Sequence, residues 1–508
     1  MGYLDISRTV ERIDAAHVRI GNPYGIPISL FAGTDVPIEK AAVEQLLSFA
    51  SLSETLVDLN RHRFFGDVRG EIARIVLTPD FHRGSGIPVG TVVDARGFVV
   101  PKAIGNDVCC GMRLLVTDLP AEALTAHRPA VARRLRALFF GGERDIPMSP
   151  RQREAVLRSG LSGLSDTAAD NAACGIWKHF DAEGARDDLA RVHPGGSFAT
   201  RGLFGFEGFV RSSGRVDGRD PQIGSVGGGN HFVELQSVDE LLDGGVAHRW
   251  GVSRGNLAIM VHSGSVGIGH AVGGHFMAEA QDAFPRALRH PKHGFYPLAT
   301  AGPSRALAAA YLDAMHNAAN FAFANRLFLG LMALRAIREA TGRSVSAKLV
   351  YDAPHNLVFP GDDGESFLHR KGATPAGGPA SPDAWIGEPV IIPGSMGASS
   401  FLLAGAGQSA SLCSACHGAG RALSRGAATH VDPAKADRAL AKLEVITSID
   451  PAAPHLRTRQ DVLEKHRQRV LEEAPYAYKD IGPVIRTVQD AGIATPVARL
   501  SPILTVKG

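Results

Sequence analysis

The sequence predicts a mixed α/β protein whose chemistry lies in loops at the ends of strands. Apolar, β-rich runs end repeatedly in polar or Gly-rich loops, and segments with helical periodicity lie between them. Several of these loops hold a histidine or a cysteine pair among small residues: GNDVCCGM (105–112), GGGNHFVE (227–234), MVHSGS (260–265), YDAPHN (351–356) and CHGAGR (416–421). Because glycine lets backbone approach a ligand closely, we expect one metal-centred active site built from these loops.

Composition narrows the class of protein. The 508 residues are 44% hydrophobic and 21% charged, with a formal net charge of +3, which is typical of a globular protein without a wholly basic surface. A nucleic-acid partner would therefore need a local arginine cluster. The N-terminus lacks a secretory signal, and the longest apolar stretch (321–334) is interrupted by Asn325 and Arg326, so no membrane span is expected. Five sparse cysteines predict no disulfide framework and a cytoplasmic location.

The strands are predicted from apolar runs that stop at polar loops. These runs are 74–78, 257–261, 348–351 and 389–392. Three further loops have phosphate-binding chemistry: PDFHRGSGIPVG (79–90), HRKGAT (369–374) and PGSMGASS (393–400). The standard Walker A and dinucleotide fingerprints are absent in their proper context, so any nucleotide would bind at a less common site.

Helices are predicted over three segments. Residues 303–341 are Ala/Leu-rich and close with Gly342, residues 129–138 begin with a proline, and residues 458–473 carry charges on most faces. No clean domain boundary is visible, so the prediction is a single catalytic domain over 1–508. Within it, the polar segment 141–220 is predicted to be an insertion or a helical subdomain, and 371–389 a loop.

The metal ligands are predicted from residue type and spacing. Asp107 and Cys110 lie three apart in a Gly-bounded loop, and a thiolate can bridge two ions. The alternative is that the cysteine pair at 109–110 is simply buried. His231, His262 and His355 come from three separate loops; each alone is better explained as a structural histidine, but together they favour a metal site. Mixed oxygen, nitrogen and sulfur donors suit manganese, iron, cobalt or zinc.

His417 is predicted to have a different role. It lies in SACHGAGR close to Arg421 and Arg425, and cations would repel a metal ion. The same arginines would balance the charge of a histidine that attacks or carries a phosphoryl group. The alternative is a structural histidine at the start of a helix.

Taken together, these motifs resemble the RtcB family of RNA ligases. The resemblance runs from Pro79 to Arg425 and resumes in the tail at APYAYKDI (474–481) and the final VKG. It implies an RtcB-type fold with the active site in a deep cleft. It also implies an enzyme that uses GTP and two Mn²⁺ ions to join an RNA 3′-phosphate or 2′,3′-cyclic phosphate to a 5′-hydroxyl, through a guanylyl-histidine and a GMP-activated RNA 3′-end.

The resemblance assigns roles residue by residue. Cys110 would bridge two metals, one also held by His262 and His355 and the other by Asp107 and His231. His417 would be the guanylylated nucleophile. The nucleotide would be held by Asn230, Phe232, Glu234, Asn356, Ser395, Ser400, Tyr478 and Lys507. RNA would be held by Arg421 and Arg425, with Asn230 also near the RNA phosphate.

The chain departs from the family at two basic positions. Val266 stands where members usually have an arginine after the HSGS run, and Pro375 stands where many have an arginine. The missing arginine at Val266 motivates a second hypothesis, a 3′-end guanylyltransferase or cyclic phosphodiesterase that seals poorly. A dinuclear metallohydrolase would leave His417 unused, and a binding protein without turnover would not need the complete ligand set. The natural RNA and the need for an accessory activator protein stay open.

Overall fold

Two large β-sheets carry the fold in the computed structural model, which describes residues 9–211, 222–380, 385–432, 434, 438 and 444–508. The strands are β1 (Val10–Arg12), β2 (His17–Ile20), β3 (Ile28–Phe31), β4 (Glu71–His82), β5 (Val89–Arg96), β6 (Phe98–Val99), β7 (Gly111–Pro120), β8 (Phe232–Leu241), β9 (Asn256–Ser263), β10 (Leu298–Ala299), β11 (Ala347–Pro354), β12 (Asn356–Pro360), β13 (Ser366–Lys371), β14 (Ala373–Pro375), β15 (Pro389–Ile392), β16 (Ser400–Gly405), β17 (Ser414–Cys416), β18 (Val445–Ile446) and β19 (Ala494–Val506).

The strand order explains why the predicted loops meet. The seven-stranded sheet has the order β1-β2-β3-β4-β5-β13-β12, and the eight-stranded sheet has the order β11-β7-β9-β8-β19-β16-β15 with β18 beside β19. From β11 to β19, neighbours in the larger sheet are antiparallel. The last residues of β11, β9 and β19 therefore lie at the same end of the sheet as the first residues of β7 and β8. Four of the five motif loops are attached at that end, and the fifth (416–421) follows β17 of the small sheet formed by β14 and β17.

The helices cover the sheets and confirm the mixed fold class. They are α1 (Lys40–Ala50), α2 (Leu52–Arg61), α3 (Pro101–Ile104), α4 (Arg128–Phe139), α5 (Pro150–Asp166), α6 (Ala182–Asp187), α7 (Glu207–Arg211), α8 (Gly244–Trp250), α9 (Val266–Asp282), α10 (Arg305–Thr341), α11 (Arg425–Thr429), α12 (Gln460–Glu472) and α13 (Ile481–Asp490). The three predicted helices are confirmed as α4, α10 and α12. Gly342 ends α10 with a φ of 66°, the left-handed conformation that glycine adopts without strain.

Two segments predicted as loops are partly strand. β4 continues beyond the predicted end at Thr78 to His82, and β14 lies inside the predicted loop 371–389, of which 381–384 are outside the described residues. β14 pairs with β17, so that Ala373 lies opposite Cys416. A partner strand about forty residues away supplies the hydrogen bonds, and local sequence pattern cannot report such a partner.

The described part of the segment 141–220 contains the helices α5, α6 and α7 joined by turns and loops, and its last residues, 212–220, are outside the described part. Helix α5 begins with Pro150 and a capping box between Ser149 and Gln152. Its apolar side chains, among them Leu157 and Leu161, belong to the same buried cluster as α10 and the larger sheet. The segment thus shares the main core, and its description as an insertion or a subdomain stays a prediction.

Two polar residues in the middle of α10 are fully buried and contact the loops of the candidate site. The Arg326 guanidinium lies 2.8 Å from Oδ1 of Asp352 and donates to the carbonyl oxygens of Cys109 (2.7 Å) and Ser263 (3.1 Å). Arg113 approaches the other Asp352 oxygen at 3.1 Å. Asn325 donates to the carbonyl oxygens of residues 225 and 264 and accepts from the N–H groups of residues 224 and 225. One turn of helix thus holds three loops and strand β11.

Two further expectations concern membranes and disulfides. Within the residues that the structure describes, no helix combines the length and the apolar character needed to cross a bilayer. The five cysteines are all free thiols, as their sparse spacing predicted.

The buried arginine leads to a stability prediction. Arg326→Met leaves the Asp352 carboxylate in the core with a single cation, so we expect the free energy of unfolding to fall by about 3 kcal/mol. Arg305→Ala, at the exposed start of the same helix, should cost less than about 0.5 kcal/mol. Urea unfolding followed by circular dichroism measures both changes. Equal losses in the two variants would show that the buried pair does not stabilise the fold.

Candidate active site

The other four predicted metal ligands lie around the Cys110 sulfur. Sγ of Cys110 lies 3.1 Å from Nε2 of His231 and 3.2 Å from Nε2 of His262. Nε2 of His262 is 3.3 Å from Nε2 of His355, and Nε2 of His231 is 3.0 Å from Oδ2 of Asp107. The donors form two triads that share Cys110, and within each triad the ligand atoms lie within 4.8 Å of one another.

The protonation states of the predicted metal ligands favour the binding of cations. Burial lowers the pKa of His262 and of His355 well below the usual range, so both rings are neutral and have a lone pair to donate. Nδ1 of His231 lies 3.1 Å from the carbonyl oxygen of residue 226, which directs the Nε2 lone pair toward the cluster. Burial, and then the Asp107 charge, raise the pKa of the Cys110 thiol, and only bound cations would make it a thiolate. The donor set fits a pair of transition-metal ions.

The backbone separates the two adjacent cysteines. Cys109 has a φ of 56°, a left-handed conformation that is rare for residues other than glycine. Its side chain packs in the main core, whereas Cys110 turns into the donor cluster. The loop that holds Asp107 packs closely against Gly264, because a Cβ added at Gly264 would lie 2.5 Å from Oδ1 of Asp107. The alternative of a simple buried pair applies to Cys109 only.

His417 lies beside the cluster and is oriented by a carboxylate. Its Nδ1 is 2.6 Å from Oδ2 of Asp80, whose Oδ1 accepts from the Thr78 hydroxyl at 2.5 Å. Burial alone would raise the pKa of Asp80, but the hydrogen bonds from His417 and Thr78 hold that pKa below its usual range. An ionised Asp80 accepts the Nδ1 proton, which leaves the Nε2 lone pair free for attack. The His417 ring centroid is 4.5 Å from that of His355.

Sequence reasoning missed the role of Asp80. The loop 79–90 was predicted to bind phosphate, whereas Asp80 is fully buried at the end of β4. The sequence did present an aspartate and a histidine there, but the partner His417 lies 337 residues away. The predicted phosphate site at 369–374 is also revised for Arg370, whose guanidinium donates to the Ser414 hydroxyl at 3.0 Å and does not line the cleft.

The cleft has a volume of about 600 Å³ and brings most of the predicted nucleotide-binding residues together. Its lining includes the metal donors Asp107, Cys110, His262 and His355, the nucleophile candidate His417, and Asn230, Phe232, Glu234, Asn356, Ser395, Tyr478 and Lys507. Ser400 lies behind this lining, where its hydroxyl accepts from Nε2 of Gln236 at 3.0 Å. Asn356 uses both ends of its amide on backbone, accepting from Gly372 N–H and donating to the Asp107 carbonyl oxygen.

Glu234 is the buried acid of the cleft. The Thr505 hydroxyl and the Gln236 amide donate to its two oxygens at 2.5 and 2.6 Å. Burial outweighs these bonds and the nearby Lys507 charge, and it raises the pKa of Glu234 to about 7. Burial likewise lowers the pKa of Lys507 to about 8. Both groups therefore change charge close to neutral pH.

The two predicted RNA-binding arginines differ in how strongly their side chains are held by contacts within the protein. Arg421 donates to the Glu473 carboxylate at 3.2 Å and to the carbonyl oxygens of residues 423 and 472, and it stacks over the Tyr478 ring. Arg425 is 56% exposed and contacts Glu473 only at 3.4 Å. Arg421 therefore supports the Tyr478 side of the cleft, and Arg425 is the arginine that can reach a ligand. Glu473 was not predicted from sequence.

Comparisons with known proteins agree on one family. The family model described as tRNA-splicing ligase RtcB matches residues 66–508, which include every candidate site residue. The tRNA-splicing ligase RtcB of Thermococcus kodakarensis is 34% identical over 461 residues, covering 85% of this chain and 87% of the relative. The RNA-splicing ligase RtcB of Mycobacterium bovis is 35% identical over 459 residues, covering 85% and 96%. The tRNA-splicing ligase RtcB of Archaeoglobus fulgidus is 30% identical over 505 residues, covering 93% and 92%.

The shared cysteine predicts coupled metal loss. Cys110→Ala removes a donor from both triads, so we expect the variant to lose both divalent ions on dialysis, whereas one ion would remain if the triads were independent. Cys174→Ala, at an exposed free thiol, is the matched control and should keep its metal. Metal content per chain is measured by inductively coupled plasma mass spectrometry after manganese loading. A full complement in Cys110→Ala would refute the bridging role.

Proposed function

The chain belongs to the RtcB family of tRNA-splicing ligases, and on that premise we propose that it is a GTP- and Mn²⁺-dependent RNA ligase. It joins an RNA 3′-phosphate or 2′,3′-cyclic phosphate to a 5′-hydroxyl. The observation that carries this proposal is the pairing of His417 with the buried Asp80 beside two metal-donor triads. A metallohydrolase would use the triads but has no need of an oriented histidine nucleophile.

The first step forms a covalent bond to His417. Nε2 attacks the α-phosphorus of GTP, the N–P bond forms, and the bond to the pyrophosphate oxygen breaks. The imidazole becomes cationic as it attacks, and the Asp80 carboxylate stabilises that charge through the Nδ1 proton. Two Mn²⁺ ions, held by Cys110 with His262 and His355 and by Cys110 with Asp107 and His231, would offset negative charge on the phosphate oxygens.

The nucleoside is held at one end of the cleft. A carboxylate at Glu234 can accept hydrogen bonds from guanine N1–H and the exocyclic amine, which adenine cannot offer in the same arrangement. Thr505 and Gln236 hold the two oxygens in place for that contact. Tyr478, held by Arg421 and Glu473, lines the same cleft.

The remaining steps pass GMP on and seal the strand. An RNA 3′-phosphate oxygen attacks the guanylyl phosphorus and releases His417, and the 5′-hydroxyl then attacks the RNA phosphorus and expels GMP. A cyclic phosphate is first opened to the 3′-phosphate. Arg425 holds the RNA phosphate in these steps, because its side chain is largely exposed and lies next to the loop at Gly229.

The alternative enzyme, a guanylyltransferase that seals poorly, is favoured by one feature. Val266 is half-buried at the start of α9 and has no charge to hold a phosphate. Accumulation of RNA capped at its 3′-end with GMP, without joined product, would identify that enzyme. Rapid joining would exclude it.

Labelling tests the nucleophile. Incubation with α-³²P-GTP and Mn²⁺ should place label on the protein, mapped to His417 and discharged by RNA with a 3′-phosphate. His417→Ala should abolish labelling while its manganese content stays near that of the parent, because the ring is not in either triad. His62→Ala, which replaces an exposed histidine distant from His417 in the sequence, is the control. Retained label in His417→Ala, or no label in the metal-loaded parent, would refute the proposal.

The buried glutamate predicts pH-dependent nucleotide binding. Guanine needs Glu234 as a carboxylate, and its pKa of about 7 means that the carboxyl takes up a proton as pH falls through 7. GTP affinity at pH 6 should be about tenfold weaker than at pH 8, which is the weakening expected one pH unit below the pKa. Lys507 gains charge in the same direction and would favour phosphate at low pH, so it cannot produce this loss. Calorimetric titration with GTP at both pH values measures this change in affinity.

Glu234→Gln serves as the control for that titration. The amide does not titrate, so its weaker GTP affinity should be nearly the same at pH 6 and pH 8. The raised pKa of Glu234 also makes the free energy of unfolding depend on pH. The folded protein binds the proton more tightly than the unfolded chain, so the Glu234 contribution to stability is lost as pH rises from about 4.5 to about 7. A GTP affinity that is independent of pH in the parent would contradict the assignment.

A further inference from the structure

A second arm of the cleft has no part in the steps above. It is lined by Glu39 and the loop 82–85, and Phe232 and Glu234 line the same cleft. A series of contacts leads from Phe232 to His82. Ring centroids are 5.5, 5.1 and 4.5 Å apart along the series Phe232, His262, His355 and His417. Beyond His417 come Asp80 and then His82, whose Nδ1 is 2.7 Å from the Asp80 carbonyl oxygen.

The loop of this arm is held rigidly before any ligand arrives. The Gln45 amide donates to the carbonyl oxygens of Gly84 and Gly86 at 2.6 and 2.7 Å and accepts from the Gly84 N–H at 3.1 Å. Glu39 accepts from the Arg83 N–H at 2.8 Å, so its negative charge is already engaged by the loop backbone. A pre-ordered loop binds a ligand without an ordering cost.

His82 presents a lone pair to this arm. The residue is 8% exposed, and burial lowers the pKa of His82 to about 4, so the ring is neutral. With the Nδ1 proton directed to the Asp80 carbonyl oxygen, Nε2 is the acceptor nitrogen. None of the residues that the structure describes donates a hydrogen bond to that atom. The vacant acceptor fits a hydroxyl group.

Arg83 supplies a cation at the rim. The residue is exposed, and its guanidinium has neither an ion pair nor a hydrogen bond within the described part of the chain. The Arg421 guanidinium, by contrast, donates hydrogen bonds to the Glu473 carboxylate and to a backbone carbonyl oxygen. An unpaired guanidinium on a rigid loop is suited to bidentate contact with a phosphate.

Hydrogen-bond chemistry decides which RNA strand belongs in this arm. Nε2 of His82 is an acceptor without a donor, and a 5′-hydroxyl can donate a hydrogen bond to it, whereas an ionised 3′-phosphate group can only accept. We propose that the arm formed by Glu39 and residues 82–85 binds the RNA strand that carries the 5′-hydroxyl, with Arg83 on a phosphate of that strand and His82 accepting the hydroxyl proton. This inference rests on the proposed ligase function.

The step is balanced within the site. The bond between the 5′-oxygen and the RNA phosphorus forms as the bond to the GMP oxygen breaks. The hydroxyl proton passes to Nε2 of His82, and GMP carries away the bonding pair. The negative charge of the phosphates favours the protonated imidazole at that moment and so makes this buried nitrogen a stronger base.

The test separates the two RNA strands. Sealing is followed in a single turnover with one strand bearing a 3′-phosphate and the other a 5′-hydroxyl, each titrated in turn, and rates are normalised to the fraction of chain labelled by GTP. In Arg83→Ala we expect the half-saturating concentration of the 5′-hydroxyl strand to rise about tenfold and that of the 3′-phosphate strand to stay the same. Arg63→Ala, an exposed arginine paired only with Asp67, is the matched control.

His82 is tested in the same assay. His82→Ala should lower the maximal sealing rate about a hundredfold with little change in either half-saturating concentration. His82→Gln, whose side-chain oxygen can accept a hydrogen bond near the Nε2 position, should recover part of that loss. An unchanged titration of the 5′-hydroxyl strand in Arg83→Ala, or a weakened 3′-phosphate strand instead, would overturn the proposal. Absence of the GTP label in the parent would overturn the ligase function itself, which is a separate outcome.

Discussion

The buried pairing of Arg326 with Asp352 is the interaction on which the rest of the site depends. Arg326 comes from the middle of the long helix α10, and its remaining donors reach the carbonyl oxygens of Cys109 and Ser263. Asn325, one residue earlier, hydrogen-bonds the backbone that leads to His231. Because a buried guanidinium is tolerated only when all its donors are satisfied, the core and the ligand loops must form together.

The carboxyl groups of the cleft show how one buried environment produces different proton states. Asp80 accepts from His417 and Thr78, and those bonds outweigh its burial, so it stays ionised. Glu234 accepts from a hydroxyl and an amide only, and burial prevails, so its pKa rises to about 7. The donor that faces each carboxylate thus determines its charge more than depth does. The same rule leaves the cleft with an ionised carboxylate beside His417 and a titrating acid, Glu234, in its lining.

Much of the fold follows from local pattern. Helix α10 was visible in the Ala/Leu periodicity, and its end at Gly342 followed from backbone sterics. The motif loops were expected at strand ends, and antiparallel pairing is the reason that they face one another. β14 escaped prediction because its strand character comes from pairing with Ser414–Cys416. The extension of β4 to His82 escaped it because polar residues there are buried by distant parts of the chain.

The sequence by itself determined the candidate residues for the chemistry, since Asp107, Cys110 and His417 stand in loops whose composition indicates them without a structure. The tertiary structure alone decided which partners those residues meet. Asp80 reaches His417 across 337 positions, and Arg421 turns to Glu473 and away from open solvent. Proton affinity and orientation depend on neighbours within a few ångströms, and chain folding brings such neighbours together from positions that no local pattern connects.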